Sequence, residues 1–256
     1  MHDPVTQLVV TLFSMPGMAL SMAAVILLAS IGIIIYSNFT DYGPLQYELR
    51  DRWNLISGLR GAKGRQHFFE QFSALDSRFA SVSSQSSTSA ALVLGWSNFR
   101  SMLVDTESGH FATSVRAAEA FDRFDEPARV LEWWANIMVA IGLVITFLGI
   151  VAALTEATAA MGQAGGSNSG AMEAALMGLL AIAATKFWTS IAGVLASIIL
   201  RVVARFRRKR IGLLEASLFE NLDSCVQFMP PEKVIFEQLK SLKRVEIALS
   251  QLPAKD

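Results

Sequence analysis

Charged residues and cysteine are scarce in this sequence, and each scarcity excludes a class of protein. Charged residues make up 17% of the 256 residues, whereas hydrophobic residues make up 52% and the mean hydropathy is +0.41. A soluble domain ordinarily carries about a quarter charged residues. Basic and acidic residues number 22 each, so the net charge indicates no direct nucleic-acid partner. The single cysteine, Cys225, excludes an intramolecular disulfide and a cysteine-based metal site.

Motifs for catalysis and for metal binding are missing as well. The sequence has no Gly-rich phosphate loop, no GxSxG and no HExxH. The three histidines, His2, His67 and His110, form no ligand pair at helical spacing. We therefore expect a protein that is not an enzyme and that uses no cofactor and no metal.

Three apolar stretches are long enough to cross a bilayer. A hydrocarbon core about 30 Å thick needs roughly 20 helical residues. Residues 17–39, 135–157 and 174–204 meet this length. Residues 1–16 contain no Lys or Arg, which a signal peptide would carry, so we interpret the first stretch as a retained anchor. The sequence thus predicts an all-α integral membrane protein with three transmembrane helices.

The distribution of basic residues predicts the orientation. Residues 40–134 hold ten Lys and Arg and residues 201–256 hold eleven, whereas residues 1–16 and 155–173 hold none. The positive-inside rule therefore places the N-terminus outside and the two basic regions in the cytoplasm of a bacterium, with the chain in its inner membrane. The predicted segments are a periplasmic N-terminus 1–16, a first span 17–39, a cytoplasmic helical domain 40–134, a second span 135–157, a periplasmic loop 158–173, a third span 174–204 and a cytoplasmic helical tail 205–256.

The polar segments carry helical patterns of their own. Apolar residues recur at three- and four-residue steps over residues 68–79 and again over 115–124, which predicts two amphipathic helices. The Ser-rich stretch 81–89 predicts a loop between them. Asp125 is an expected N-cap for a helix that enters the second span, and a final helix is predicted over about 232–251.

Small and hydroxylated side chains occupy one face of each of the last two spans. Gly142, Thr146 and Gly149 follow i, i+4, i+7 spacing, and Ser190 and Gly193 share a face of the third span. Glycines at such positions predict close packing between helices. The hydroxyl groups have two readings that the sequence leaves open, a bond back to the carbonyl of their own helix or a place in an ion path.

Acidic residues are missing from the central, apolar part of each predicted span. No Asp or Glu occurs in residues 17–39, 135–154 or 174–201. A proton carrier within a bilayer needs an ionisable group, so another subunit would have to supply it. Lys186 is the one charged residue in 174–200, and it lies about 18 Å from the outer end of the third span. We expect it to face water or a partner's carboxylate, with a buried structural lysine as the alternative.

Both of the last spans resemble the MotA/TolQ/ExbB proton-channel family. The resemblance is carried by GLVITFLGIVAAL in the second span and AIAATKFWTSIAGVLASI in the third. The three-span layout is closest to TolQ, ExbB and the ZorA subunit of Zorya anti-phage systems, and ZorA is also similar in its T-S-x-x-G form. Lys186 departs from the family pattern.

That resemblance implies a homopentamer whose second and third helices line a central pore. A dimer of a single-span protein like MotB, ExbD, TolR or ZorB would sit in the pore and supply a proton-carrying Asp. Thr146 would be the pore threonine of the second span, and Ser190 or its neighbour Thr189 would match the site on the third span.

Three functions remain open at this point. The first is a subunit of a rotary motor or stator complex driven by the proton-motive force, serving phage defence (antiviral defense) or, as in TolQ and ExbB, the energising of outer-membrane processes. The second is a self-contained ion channel or transporter that uses Lys186. The third is a membrane scaffold that conducts nothing.

Overall fold

The computed structural model describes residues 17–59, 61–81, 87–106, 109–121, 124–163 and 169–250. Of these described residues 86% are helical, and three of the helices among them are long and apolar enough to cross a membrane. The prediction of a largely helical protein with three candidate spans is therefore confirmed, while the predicted N-terminal segment 1–16 lies outside the described residues. The helices are α1 (Met18–Ser37), α2 (Gly43–Ser57), α3 (Gly61–Glu70), α4 (Phe72–Ala80), α5 (Ser87–Ser101), α6 (Ala117–Ala120), α7 (Glu126–Gln163), α8 (Ser169–Cys225) and α9 (Pro231–Ser250).

The chain divides into two compact units. The first, which we call the membrane unit, comprises Met1–Thr40 and Asp125–Arg208. The second, which we call the polar unit, comprises Asp41–Phe124 and Lys209–Asp256. Helix α8, 57 residues long, contributes its first part to the membrane unit and its last part to the polar unit.

The membrane unit buries small side chains and exposes large ones. Ala135 and Ala196 are fully buried between helices, whereas Leu28, Phe147 and Trp188 are more than half exposed. A soluble domain has the opposite arrangement, because water drives its large apolar side chains inward. Helices in lipid lack that driving force and pack instead through small residues that let their backbones approach. The distribution of side chains is thus that of a membrane-embedded bundle.

A buried arginine ties α8 to the end of α1. The guanidinium of Arg207 donates to the hydroxyl of Ser37 at 3.0 Å and to the carbonyl of Ile34 at 2.9 Å. Directly after Ser37 the chain forms a π-helical turn, Asn38–Tyr42, before α2 begins. Burial of a charged group is tolerated only when its hydrogens find acceptors, and both of these acceptors lie on α1. Arg207 therefore fixes this end of the helix pair.

The polar unit is built around an aromatic core. Phe68, Phe79, Trp96, Phe99 and Phe124 are essentially inaccessible to solvent. The rings of Phe79 and Trp96 lie 4.3 Å apart between centroids, which is a close offset contact. The predicted 68–79 helix is present in two pieces, α3 and α4, separated at Gln71. This unit therefore holds its large apolar side chains in its interior, as a water-soluble fold does.

A buried ion pair supports one side of that core. Arg52 contacts the carboxylate of Glu48 at 3.1 Å, and the hydroxyl of Ser89 donates to the other oxygen of Glu48 at 3.0 Å. The second amino group of Arg52 donates to the carbonyls of Phe79 and Ser81 at 3.3 and 3.1 Å. Those carbonyls end α4, so the arginine satisfies acceptors that the helix itself leaves without partners. Of the loop predicted over 81–89, residues 82–86 lie outside the described residues, and the prediction is wrong for residues 87–89, which form the first turn of α5.

The helix predicted over residues 115–124 is wrong. The structure has a short sheet, in which β1 (Val104–Thr106) pairs antiparallel with β2 (His110–Thr113) and β2 pairs parallel with β3 (Gln227–Phe228), and then only the four-residue α6. The reason lies in α8, because Asp223 accepts the backbone N–H of Ala117 at 2.8 Å and Glu215 accepts that of Phe124 at 2.9 Å. Distant carboxylates thus replace the bonds that a local helix would have made.

Candidate functional site

Helices α7 and α8 cross at a contact between two glycines. A Cβ atom added to Gly142 would lie 2.9 Å from the carbonyl oxygen of Thr189 and 3.0 Å from the Cα of Gly193. A Cβ added to Gly193 would lie 2.8 Å from the carbonyl oxygen of Met138. The atoms in the way belong to the backbone and cannot rotate aside, so both positions require glycine. This close approach is typical of helix pairs in membranes.

A pair of buried hydroxyls lies next to the glycine contact. The hydroxyl of Thr146 donates to the carbonyl of Gly142 at 2.7 Å, and its oxygen lies 2.9 Å from the hydroxyl oxygen of Thr189. Either hydroxyl can be the donor between the two threonines. Thr146 is 5% exposed and Thr189 is 1% exposed. The hydroxyls therefore bond both along one helix and across the helix pair.

Of the two predicted partners on the third span, the structure pairs Thr189 with Thr146. Ser190 is partly exposed and follows Thr189 on the helix. Gly149 is buried on the same face of α7 as Thr146. Lys186 belongs to α8, but its side chain lies outside the part of the chain that the structure describes. Its role stays a prediction.

The position of Thr189 relative to Gly193 is a sequence signal for this pairing. Thr189 precedes Gly193 by four residues, and Thr146 follows Gly142 by four residues. In an antiparallel pair of helices that meet at the two glycines, the position four residues after one glycine lies at the same depth as the position four residues before the other. The pairing of Thr146 with Thr189 follows from that register.

The hydroxyl pair offers hydrogen bonds and no titratable group. Hydroxyls relay a hydrogen bond, but they do not bind and release a proton at physiological pH. Among the described residues, no group of three or more His, Cys, Asp or Glu side chains could hold a metal ion. The chain's own contribution at this site is a close, polar contact between two helices.

The comparisons with known proteins place the chain in no family. No protein-family model matches it, and no curated protein matches it either.

Proposed function

We propose that the protein is the pentameric subunit of a rotary motor or stator complex driven by the proton-motive force. In this proposal α7 and α8 surround a dimer of a single-span membrane protein, which supplies the Asp that carries the proton. The chain lies in the bacterial inner membrane with its N-terminus in the periplasm and its basic regions in the cytoplasm. The membrane potential then provides about 2.3 kcal/mol for each charge that crosses 100 mV, which the complex turns into mechanical work.

One observation carries the proposal: the glycine contact and the threonine pair lie in apolar stretches, residues 135–154 and 174–201, that contain no acid. Polar groups within a bilayer are costly and usually serve a pathway or an assembly. A hydroxyl-lined helix pair without a carboxylate of its own is complementary to a partner that brings one. The resemblance of GLVITFLGIVAAL and AIAATKFWTSIAGVLASI to the MotA/TolQ/ExbB family adds the expected stoichiometry and the ion-pathway roles of Thr146, Ser190 and Thr189, with Lys186 as a modifier.

The exposed faces of α7 and α8 give the partner somewhere to bind. Phe147 on α7 and Trp188 on α8 are each more than half exposed. Lipid covers part of such a surface in any membrane protein. In the proposed pentamer the remaining part contacts the neighbouring copies and the enclosed partner, so that each large apolar side chain has an apolar neighbour.

In the decisive experiment the gene is expressed together with its neighbouring genes, and the chain is purified in a mild detergent. We expect native mass spectrometry to find five copies of the chain with two copies of a single-span protein. In liposomes the whole complex should conduct protons, the chain alone should not, and replacement of the partner's membrane Asp by Asn should abolish the flux. A stable monomer or dimer without a partner contradicts the proposal. A current from the chain alone would instead favour a self-contained channel.

The proposal includes phage defence and outer-membrane energising as the processes served. A strain that lacks the gene distinguishes them, since loss of the first raises phage plating efficiency and loss of the second impairs energy-dependent uptake through the outer membrane. A phenotype in neither assay, with proton flux intact, would leave the motor function in place and contradict both processes.

A further inference from the structure

The arginines where α7 and α8 leave the apolar region differ in whether the protein neutralises them. Arg129 contacts the carboxylate of Asp125 at 3.4 Å, and Arg208 contacts that of Glu132 at 3.0 Å. Arg207 is buried and donates to two neutral groups of α1, the hydroxyl of Ser37 and the carbonyl of Ile34. Arg201 donates at 2.7 Å to Asn136, a neutral amide. For Arg205 there is no hydrogen bond or ion pair within the described part of the chain. Arg201 and Arg205 thus keep two positive charges without a protein counter-charge.

These two arginines stand on one exposed line of α8. They are four residues apart, so their guanidinium groups are neighbours, and like charges at this spacing repel each other. An anion held between them removes the repulsion. The Arg fork presents paired N–H donors that match the oxygens of a phosphate group. A phosphate group therefore has the chemistry that suits these two arginines.

An apolar stripe leads directly to the same two arginines. Phe187, Ile191, Val194 and Ile198 are all exposed and follow one another at three- and four-residue steps, and the next two steps reach Arg201 and Arg205. From Phe187 to Ile198 the stripe is about 16 Å long at 1.5 Å per residue. Half of a hydrocarbon core about 30 Å thick is about 15 Å. The stripe has the length of one leaflet.

We propose that Arg201 and Arg205 bind the phosphate of an anionic phospholipid whose acyl chain lies along the stripe from Phe187 to Ile198. A free phosphate would use the arginines and leave the stripe uncovered, whereas a phospholipid satisfies both surfaces at once. Trp133, three residues before Asn136 on α7 and more than half exposed, is the kind of residue that borders a headgroup region. The inference uses only residues of the membrane unit and does not depend on the proposed motor function.

The test measures lipid retention by the full chain. The protein is purified, stripped of lipid in detergent and incubated with phosphatidylglycerol or phosphatidylcholine, and native mass spectrometry counts the bound lipid. We expect the unaltered chain to retain phosphatidylglycerol in preference to phosphatidylcholine. R201Q/R205Q should bind it roughly thirty-fold more weakly, because each basic residue near an anionic surface contributes about 1 kcal/mol and about 1.4 kcal/mol corresponds to tenfold.

A matched variant separates a site from general attraction. K209Q/R210Q also removes two positive charges from α8 but leaves Arg201 and Arg205 in place. We therefore expect it to retain phosphatidylglycerol nearly as well as the unaltered chain. R201K/R205K keeps the charges but not the fork, and should bind with intermediate strength. A thermal-stability scan of each variant checks that it is folded.

Three results would overturn the inference. The first is equal loss of lipid in R201Q/R205Q and K209Q/R210Q, which would show attraction by the cluster as a whole. The second is equal retention of phosphatidylglycerol and phosphatidylcholine. The third is displacement of the lipid by millimolar inorganic phosphate, which would show a site for a free anion.

Discussion

Replacing Gly142 by alanine tests the contact on which the membrane unit depends. The new Cβ would lie 2.9 Å from the carbonyl oxygen of Thr189 and 3.0 Å from the Cα of Gly193, whereas ordinary contacts begin at 3.4 Å. The helices must therefore separate by about half an ångström, since neither backbone atom can rotate away. That displacement lengthens the 2.9 Å contact between the hydroxyls of Thr146 and Thr189 beyond good hydrogen-bond distance.

The expected change in the free energy of unfolding has three contributions. Overpacking of a well-fitted contact costs about 1–3 kcal/mol. Loss of an interhelical hydrogen bond in a membrane costs about 0.6 kcal/mol on average and about 1.7 kcal/mol at most. Alanine gains up to about 1 kcal/mol over glycine in helix propensity. We expect Gly142→Ala to lower the free energy of unfolding by about 1–3 kcal/mol, with the upper part of the range reached if the hydroxyl contact is lost completely.

The assay is unfolding of the full chain in mixed micelles by titration with sodium dodecyl sulfate, followed by circular dichroism. Gly32→Ala is the matched control, because Gly32 is an exposed glycine of α1 with no atom within 4 Å of its added Cβ. It gains the same helix propensity without a clash and should be neutral or stabilising. If Gly142→Ala is as stable as Gly32→Ala, the two helices do not meet at the glycines and the reasoning fails.

Three further predictions concern buried polar groups. Arg52→Met leaves Glu48 buried without its charge partner and should destabilise the polar unit by about 3–5 kcal/mol in thermal unfolding, more than the E48Q/R52M double variant does. Burial raises the pKa of the Cys225 thiol from 9.0 to about 11. Native Cys225 should therefore react slowly with iodoacetamide at pH 8 and rapidly after unfolding. The stability that the buried, protonated thiol contributes is present below pH 9 and is lost as the pH rises through 11. Arg207→Gln should cost about 1–3 kcal/mol in the micelle titration, with partial recovery in Arg207→Lys.

Each of these outcomes has a counterpart that contradicts it. A double variant at Glu48 and Arg52 that is less stable than Arg52→Met would show that the pair, and not its imbalance, supplies the stability. Native Cys225 that reacts as fast as the unfolded thiol would show that it is not shielded. An Arg207→Gln variant with unchanged stability would show that the contacts to Ser37 and Ile34 contribute nothing.

The spans were predictable because their cause is local. A run of about 20 apolar residues is stable in a bilayer whatever the rest of the chain does, since every backbone group is satisfied within the helix. The start of α7 was equally local, and the helix begins at Glu126, directly after the predicted cap Asp125. The final helix, predicted over about 232–251, occupies Pro231–Ser250.

The segment before α7 was not predictable, because its cause is distant in the chain. The apolar spacing over residues 115–124 is helical, but the N–H groups of Ala117 and Phe124 bond to Asp223 and Glu215, about a hundred residues away. Pairing of β2 with β3 spans a similar separation. A periodic pattern records which side chains are buried, and a segment can bury the same side chains without forming the helix that the period predicts.

The two neighbouring hydroxyls on α8, those of Thr189 and Ser190, point to different sides of the helix. Counted from Gly193 at 100° per residue, Thr189 lies about 40° to one side and Ser190 about 60° to the other. Thr189 is therefore turned toward Thr146, and Ser190 stays partly exposed. We expect Thr189→Val to lower stability in the micelle titration by about 0.6 kcal/mol, as the loss of one interhelical hydrogen bond should. Ser190→Ala should leave stability unchanged and lower proton flux in the complex with the single-span partner.

Thr155 provides the control for both variants. Its hydroxyl donates at 2.8 Å to the carbonyl of Val151, so Thr155→Val removes a hydroxyl of α7 that bonds within its own helix. It should change neither stability nor flux. Two outcomes would contradict this assignment: Thr189→Val lowers the proton flux without lowering stability, or Ser190→Ala lowers stability alone. Either would show that the hydroxyl of Ser190 is not the one turned toward the proton carrier. The ion path would then have to run between α7 and α8, where the structure leaves the two threonines in direct contact.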